Sequence, residues 1–240
     1  MAKHALTNAG IYFSGHDFSG DMNAVQLQLG ADAQEVTAFG HTARNFVPGL
    51  LSSVFSASGY FEAASPDATL AGNLAVGGDV LILAQDASVG SVAWMMQALL
   101  HEYKLLGQVG QAAPFDLAIA AEDAAMRGQV EVLSTLSTST ASTGVQLGAL
   151  SSAQRLWAAA MTTGAPGGST PTLDLKVQSD DNGSFTSATD RITFSQMTTR
   201  SQEMASVDGA VSDDYWRFSW TVGGSTPTFP MIAAFGIVTI

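Results

Sequence analysis

The chain has 240 residues, 46% of them hydrophobic and 12% charged, with 9 basic side chains against 21 acidic ones and a net charge of −12. That length fills one large β domain or two of about 100–130 residues, and the charged share is roughly half the usual one, so much of the surface must be uncharged Ser, Thr, Ala and Gly. The absence of cysteine excludes disulfides and cysteine-based metal sites or nucleophiles, and basic residues scattered singly from Lys3 to Arg217 exclude the basic stripe that replaces counterions on nucleic acid.

Short β-like runs separated by Gly, Ser, Asn and Asp dominate the sequence. The first is expected at 11–14, and Ala-Val-Gln-Leu-Gln-Leu over 24–29 alternates as a half-buried strand should. Strands follow at 35–39, 54–62 and 80–84. Residues 91–103 break this pattern, because Val92, Met95, Met96, Leu99 and Tyr103 have helical spacing and predict an amphipathic helix. Strands resume at 115–121, 129–133 and 144–150. A second helix is expected over 152–161, with Ala153, Leu156, Trp157, Ala160 and Met161 on one face and Ser151 or Ser152 as N-cap. Pro166, Gly167 and Gly168 would end it. The last strands are expected at 173–179, 191–195, 203–207, 215–222 and 231–240. Two longer loops are read at 65–78 and at the Ser/Thr-rich stretch 134–143, which also suits a flat polar strand.

Many short strands at this spacing predict a mainly β protein, an antiparallel sandwich or barrel with two short amphipathic helices. The order strand, helix, strand occurs twice, each time with one Trp (Trp94, Trp157) and each time before a Leu pair with an acidic end. This suggests an internal duplication into β-rich units at 1–126 and 127–240; one continuous domain is the other reading. Residues 1–8 contain no apolar signal-peptide core, and no apolar run approaches the roughly 20 residues needed to span a bilayer. Synthesis in a cytoplasm is therefore expected, with the chain kept there until assembly or lysis.

The search for chemistry yields no catalytic residue, metal ligand or cofactor-binding residue, and a non-enzymatic role is expected. The four histidines, at 4, 16, 41 and 101, lack zinc-motif spacing. Gly15-His16-Asp17 with Asp21 could be drawn as a metal cluster but reads as a turn. No Gly-x-Ser-x-Gly elbow, P-loop or dinucleotide fingerprint occurs. The pairs Glu122-Asp123, Asp180-Asp181 and Asp213-Asp214 are expected to cap turns, and the loop at 180–184 lacks the alternating ligands of a calcium site. His101, beside Glu102, is expected to face solvent. Trp216, Phe218 and Trp220 share one strand face, opposite Tyr215, Arg217 and Ser219. They would either fill a core or, if exposed, bind sugars or stack on bases; the core reading is favoured.

The C-terminal third resembles tail tube (major tail) proteins of long-tailed bacteriophages. The resemblance is carried by Arg-Ile-Thr-Phe at 191–194, Gln-Glu-Met-Ala-Ser-Val-Asp-Gly at 202–209, Asp-Tyr-Trp-Arg-Phe-Ser-Trp-Thr-Val at 214–222 and Thr-Phe-Pro-Met-Ile-Ala-Ala-Phe-Gly at 228–236. Val-Thr-Ala-Phe-Gly-His-Thr-Ala-Arg at 36–44, Val-Pro-Gly-Leu at 47–50 and Ser-Gly-Tyr-Phe-Glu at 58–62 are similar to an earlier part of the same pattern. The resemblance implies a virion structural protein that assembles with itself and other tail proteins. Its subunits would form hexameric rings, or pseudo-hexameric rings of three duplicated subunits, stacked into a tube through which DNA passes unbound during ejection. An acidic lumen would suit the net charge. The alternatives are a capsid decoration or other head or neck protein and, from another class, a carbohydrate-binding module.

Overall fold

The computed structural model describes residues 8–61, 66–105, 107–108 and 112–239. Residues 1–7, including His4, and the expected strand or loop ends at Glu62, Ser65 and Ile240 lie outside the described residues. In chain order the elements begin with β1 (Gly10–Phe13), β2 (His16–Asp17), β3 (Met22–Glu35), β4 (Phe46–Tyr60), the helix α1 (Pro66–Gly72), β5 (Asp79–Ala84), β6 (Val92–Leu105) and β7 (Pro114–Ala121). They continue with β8 (Met126–Leu136), β9 (Thr140–Ala141), β10 (Val145–Gln146), β11 (Gln154–Thr162), β12 (Gly167–Asp180), β13 (Thr189–Thr193), β14 (Gln202–Asp208) and β15 (Tyr215–Thr239). The fold is mainly antiparallel β, as the spacing of short apolar runs predicts.

Both expected helices are strands. Residues 91–103 fall on β6 and 152–161 on β11. In β11, Leu156, Ala158 and Ala160 enter one apolar cluster while Ala159 and Met161 enter another. A strand buried on both faces loses its polar alternation, and an alanine run then imitates a helix. In β6 the buried set runs Ala93, Met95 and then Met96, Ala98, Leu100, so the alternation changes phase at Met95–Met96. A second irregularity follows at His101, where Leu100 pairs with Ile119 but Glu102 already pairs with Ala118. The helix among the described residues, α1, lies instead in the expected loop at 65–78. With both helices gone, the strand–helix–strand order that suggested a duplication is absent.

The chain divides into two compact units, one drawn from Met1–Gly20, Asp79–Met95 and Met126–Ile240, the other from Asp21–Gly78 and Met96–Ala125. In the larger unit, one sheet runs β14-β11-β15-β8-β6-β5-β1-β2, using the C-terminal half of β15 and the start of β6. It curls around Tyr12, Ile82, Met95, Met161 and Ile232, and side chains join its β14 edge to β5. There Gln202 donates to the buried Asp79 carboxylate at 2.6 Å and accepts from the Val80 amide at 2.9 Å. A second layer, β13-β12-β15 with β9 and β10 on the far edge of β15, uses the N-terminal half of that strand. Leu175, Val177, Trp216, Phe218 and Phe235 are among the residues that pack between the layers.

The strands expected at 215–222 and 231–240 are therefore one strand, β15, of 25 residues. It passes from one layer to the other at residues 223–228, whose sequence Gly-Gly-Ser-Thr-Pro-Thr is identical to that of residues 167–172. The two copies pair with each other antiparallel, Gly167 with Thr228 and Thr172 with Gly223. Each copy has positive φ at its second and fourth residues, 98° and 48° at Gly168 and Thr170 and 106° and 48° at Gly224 and Thr226. The contacts are reciprocal. A Cβ on Gly168 would lie 2.6 Å from the Thr226 carbonyl oxygen, and one on Gly224 would lie 2.6 Å from that of Thr170. The corner thus has a local two-fold axis, and irregular backbone of this kind is how strands change sheets.

In the smaller unit the sheet order is β3-β4-β7-β6, with the C-terminal part of β6 at one edge. Phe55, Ala98, Leu100, Phe115 and Ile119 are buried, as is Leu70 of α1. The Tyr103 hydroxyl donates to Asp67 in the first turn of α1 at 3.0 Å.

Gly168→Ala and Gly224→Ala are each expected to cost about 2 kcal/mol or more, because a side chain meets both a left-handed backbone and a carbonyl. Ser169→Ala, exposed in the same ribbon, should be close to neutral. Urea unfolding of the three variants measures this.

Candidate assembly surface

β3 and β4 pair along their whole length, from Met22 opposite Gly59 to Glu35 opposite Phe46. β7 covers the other edge of β4 only from Val54 to Tyr60. Residues 46–53 and the facing part of β3 therefore form a two-stranded ribbon with no third strand. Along this arm Leu29, Phe46, Val47, Leu50 and Leu51 are exposed, Leu50 to 81%. A two-stranded ribbon is marginal by itself in water, and one that presents so many apolar side chains is a candidate interaction surface.

The tip of the arm is an ordered turn. The Val36 amide donates to the Asn45 carbonyl at 2.8 Å, and the Asn45 amide donates to the Thr37 hydroxyl at 3.1 Å. Thr37 in turn donates to Glu35 at 2.9 Å, and Arg44 lies 3.7 Å from the same carboxylate. Phe39 stands at the tip with its ring fully exposed. The sheet below the arm carries a hollow of about 410 Å³ floored by Ala24, Ser56, Ser58 and Ala118, with Asp116 and the ion pair Glu102–Lys104 on its wall. Small uncharged side chains make this face smooth and weakly adhesive.

The residues weighed for chemistry are dispersed. His16 contacts the Arg200 guanidinium, and its Nδ1 donates to the Ser14 carbonyl at 2.9 Å; burial holds its pKa below the usual value. Asp17 caps its own turn through the Ser19 amide at 2.9 Å. His41 lies in the arm tip, and His101 is exposed, but on a strand. Glu122 accepts from the Gly78 amide, Asp123 from the Ala124 amide, Asp180 from the Ser187 amide and Asp214 from Gln146. The Asp123 and Asp180 contacts are local turn contacts as expected, whereas Glu122 and Asp214 tie distant segments together. Among the described residues no group of three His, Asp or Glu side chains could hold a metal. Trp216 and Phe218 are fully buried and Trp220 is 8% exposed, so the aromatic face fills the core. Arg217, on the opposite face, lies 4.2 Å over the Phe185 ring.

One polar cluster is tightly built. Ser179 donates to Asp213 at 2.6 Å, and Arg191 donates to both the Ser179 hydroxyl and the Asp213 carboxylate, at 2.7 and 2.9 Å. The Ser179 hydroxyl, then the Arg191 guanidinium, hold the Asp213 carboxyl below the usual carboxylate range. It joins β12, β13 and the approach to β15, and has no open position for a substrate. The arm was hidden in the sequence because its strands end in ordinary alternation. Its signal was the run Val47 to Leu51, too apolar for a solvated hairpin.

No protein-family profile matches the chain, and no curated protein matches it. Among solved structures, it is similar to a protein of the virion of a native gene transfer agent particle, with 16% identity and a TM-score of 0.43 over 52% of this chain and 98% of that one. It is similar to the SPP1 tail tube, with 10% identity and a TM-score of 0.41 over 50% of this chain and 76% of the other. A third, the Dit protein of SPP1, described as a hub adsorption apparatus of phages infecting Gram-positive hosts, aligns over 96% of this chain and 99% of its own, with 9% identity and a TM-score of 0.39. These solved structures come from a gene transfer agent virion, a phage tail tube and a phage hub apparatus.

Because the folded pKa of Asp213 is depressed, its contribution to stability is present above the unfolded value of about 3.9 and is lost as pH falls through the folded value. Asp213→Asn should cost about 1–2 kcal/mol at pH 7. The gap from the parent protein should close below about pH 4, as followed by urea midpoints across pH.

Proposed function

We propose that this chain is a virion structural protein, a tail tube subunit that forms rings stacked into the conduit for DNA ejection. The observation that carries the reading is the β3–β4 arm, an apolar two-stranded ribbon that a second copy of the chain would cover. The sequence resemblance supports it at the same place, since residues 36–44 form the arm tip and 47–50 lie on its second strand. The other resembling stretches fall on β13, β14 and β15. A chain with only 12% charged residues leaves few ions to desolvate in permanent contacts.

The free edge of β3, left unpaired among the described strands, would pair with a neighbouring copy within the ring, which removes an exposed edge. A ring of six copies is what the resemblance implies if each copy contributes one sheet; two comparable sheets per copy would let three mimic six. The units at 1–126 and 127–240, if duplicated, would produce the second case. Fixed negative charge, −12 per copy, would keep passing DNA from adhering. The role is structural and not catalytic, and the subunit is made in a host cytoplasm before joining the tail. The carbohydrate-module alternative needs an exposed aromatic face, and Trp216, Phe218 and Trp220 are buried.

Negative-stain microscopy of the concentrated protein is expected to show rings or hollow tubes, and ring symmetry separates six from three. Small particles that coat preformed heads and never form tubes would instead identify a decoration protein. Leu50→Asp with Leu51→Asp should leave the fold intact, both positions being exposed, and abolish stacking. Copies of like charge should also assemble faster when ionic strength is raised to about 0.15 M from about 0.01 M, as measured by light scattering.

A further inference from the structure

Phe39 is 109% exposed at the end of the arm, held there by the ordered turn between Val36 and Asn45. A ring that projects beyond all its neighbours gains nothing for the monomer. Beside it, Arg44 has a side chain 77% exposed and a single long contact to Glu35, 45% exposed. Such a surface pair is worth little, so Arg44 loses little by changing partner.

A second feature, in the larger unit, has the complementary chemistry. A hollow of about 290 Å³ has an apolar wall of Val89, Val132, Leu133 and Trp220, the hydroxyl side chains of Ser134, Ser142 and Thr143, and Glu131 as its one charged group. Its volume admits a phenyl ring. Glu131 is 5% exposed and accepts a hydrogen bond from the Gln129 amide at 2.5 Å, with no ion pair to it among the described residues. Burial pushes its carboxyl above the usual carboxylate range, and the Gln129 bond offsets only part of this. A buried carboxylate without a cation is an expensive feature, and a hydrogen-bonded guanidinium is the group that best repairs it.

We propose that the arm tip of one copy, led by Phe39 and Arg44, seats in the hollow beside Trp220 and Glu131 of a second copy. Phe39 enters the apolar wall and Arg44 pairs with Glu131. Knob and hollow are different patches, so the contact is heterologous, and repeating it from copy to copy propagates a polymer. The inference rests on the assembly reading above and deepens it by naming the receptor for the arm.

The absence of native cysteine makes the test clean. Thr42→Cys, beside Phe39 in the arm tip, and Val89→Cys, both at exposed positions, are purified separately, mixed and mildly oxidised. The expected product is a mixed disulfide dimer, well above the yield with Thr186→Cys, an exposed position elsewhere. In assembly assays, Phe39→Ser, Arg44→Glu and Glu131→Gln should each raise the critical concentration for polymerisation roughly tenfold or more. Circular dichroism should match the parent protein. Tubes that form without the mixed disulfide, and at unchanged concentration in Phe39→Ser, would overturn the docking inference and leave the tube reading standing. The mixed disulfide in a protein that never forms rings or tubes would support the docking contact and overturn the tube reading.

Discussion

An extended strand rises about 3.3 Å per residue, so the 25 residues of β15 drawn straight would reach about 80 Å, far beyond the layers they belong to. The larger unit depends on bending that strand without losing its hydrogen bonds. The bend is made against an identical hexapeptide in β12, so that each copy supplies the other with the same carbonyls, the same glycine gaps and the same threonine hydroxyls. Thr172 lies over Gly223 as Thr228 lies over Gly167. On one side of the corner β15 pairs with β8 and β11, and on the other with β12, β9 and β10. Both layers and the core between them follow from that single turn of the chain. The two prolines of the corner, Pro171 and Pro227, lack an N–H to offer, which discourages a further strand from adding there.

The smaller unit solves the opposite problem. Its sheet is well covered near Phe55, Phe115 and Ile119, yet the β3–β4 ribbon continues beyond its last neighbour with apolar side chains in water. Burial of a side chain such as Leu50 or Phe39 is worth about 1.5–3 kcal/mol, and the monomer forgoes this. The same chain keeps Glu131 buried at a hollow with no cation paired to it among the described residues. Both features are unfavourable in an isolated chain, and the docking proposed above would relieve them together.

Turn chemistry was legible residue by residue. Asp17, Asp123 and Asp180 act locally, accepting from nearby amides, and the Gly, Asn and Ser around them announce it, whereas Glu122 and Asp214 accept from the distant Gly78 and Gln146. The burial of Trp216, Phe218 and Trp220 was legible too, because alternation places three rings on one side of a strand. The arm and its hollow were not. Phe39 and Trp220 are far apart in sequence, and no local pattern says that one is bare while the other roofs a cavity. The two hexapeptides were readable as a repeat, but only their pairing reveals a corner in place of two loops.

By itself the sequence determined a mainly β chain, rich in short alternating runs, poor in charge and free of cysteine, because period-two alternation and turn residues act over a few neighbours. Tertiary structure decided that 91–103 and 152–161 are strands. Helical spacing and alanine content are local preferences worth tenths of a kcal/mol per residue, whereas β11 is held between β14 and β15 by two full ladders with apolar clusters on both faces. Tertiary structure also decided that residues 215–239 form one bent strand, since the partner that allows the bend is the distant copy at 167–172. Long-range pairing outweighed local preference in both cases, and it did so through backbone hydrogen bonds that no single segment encodes.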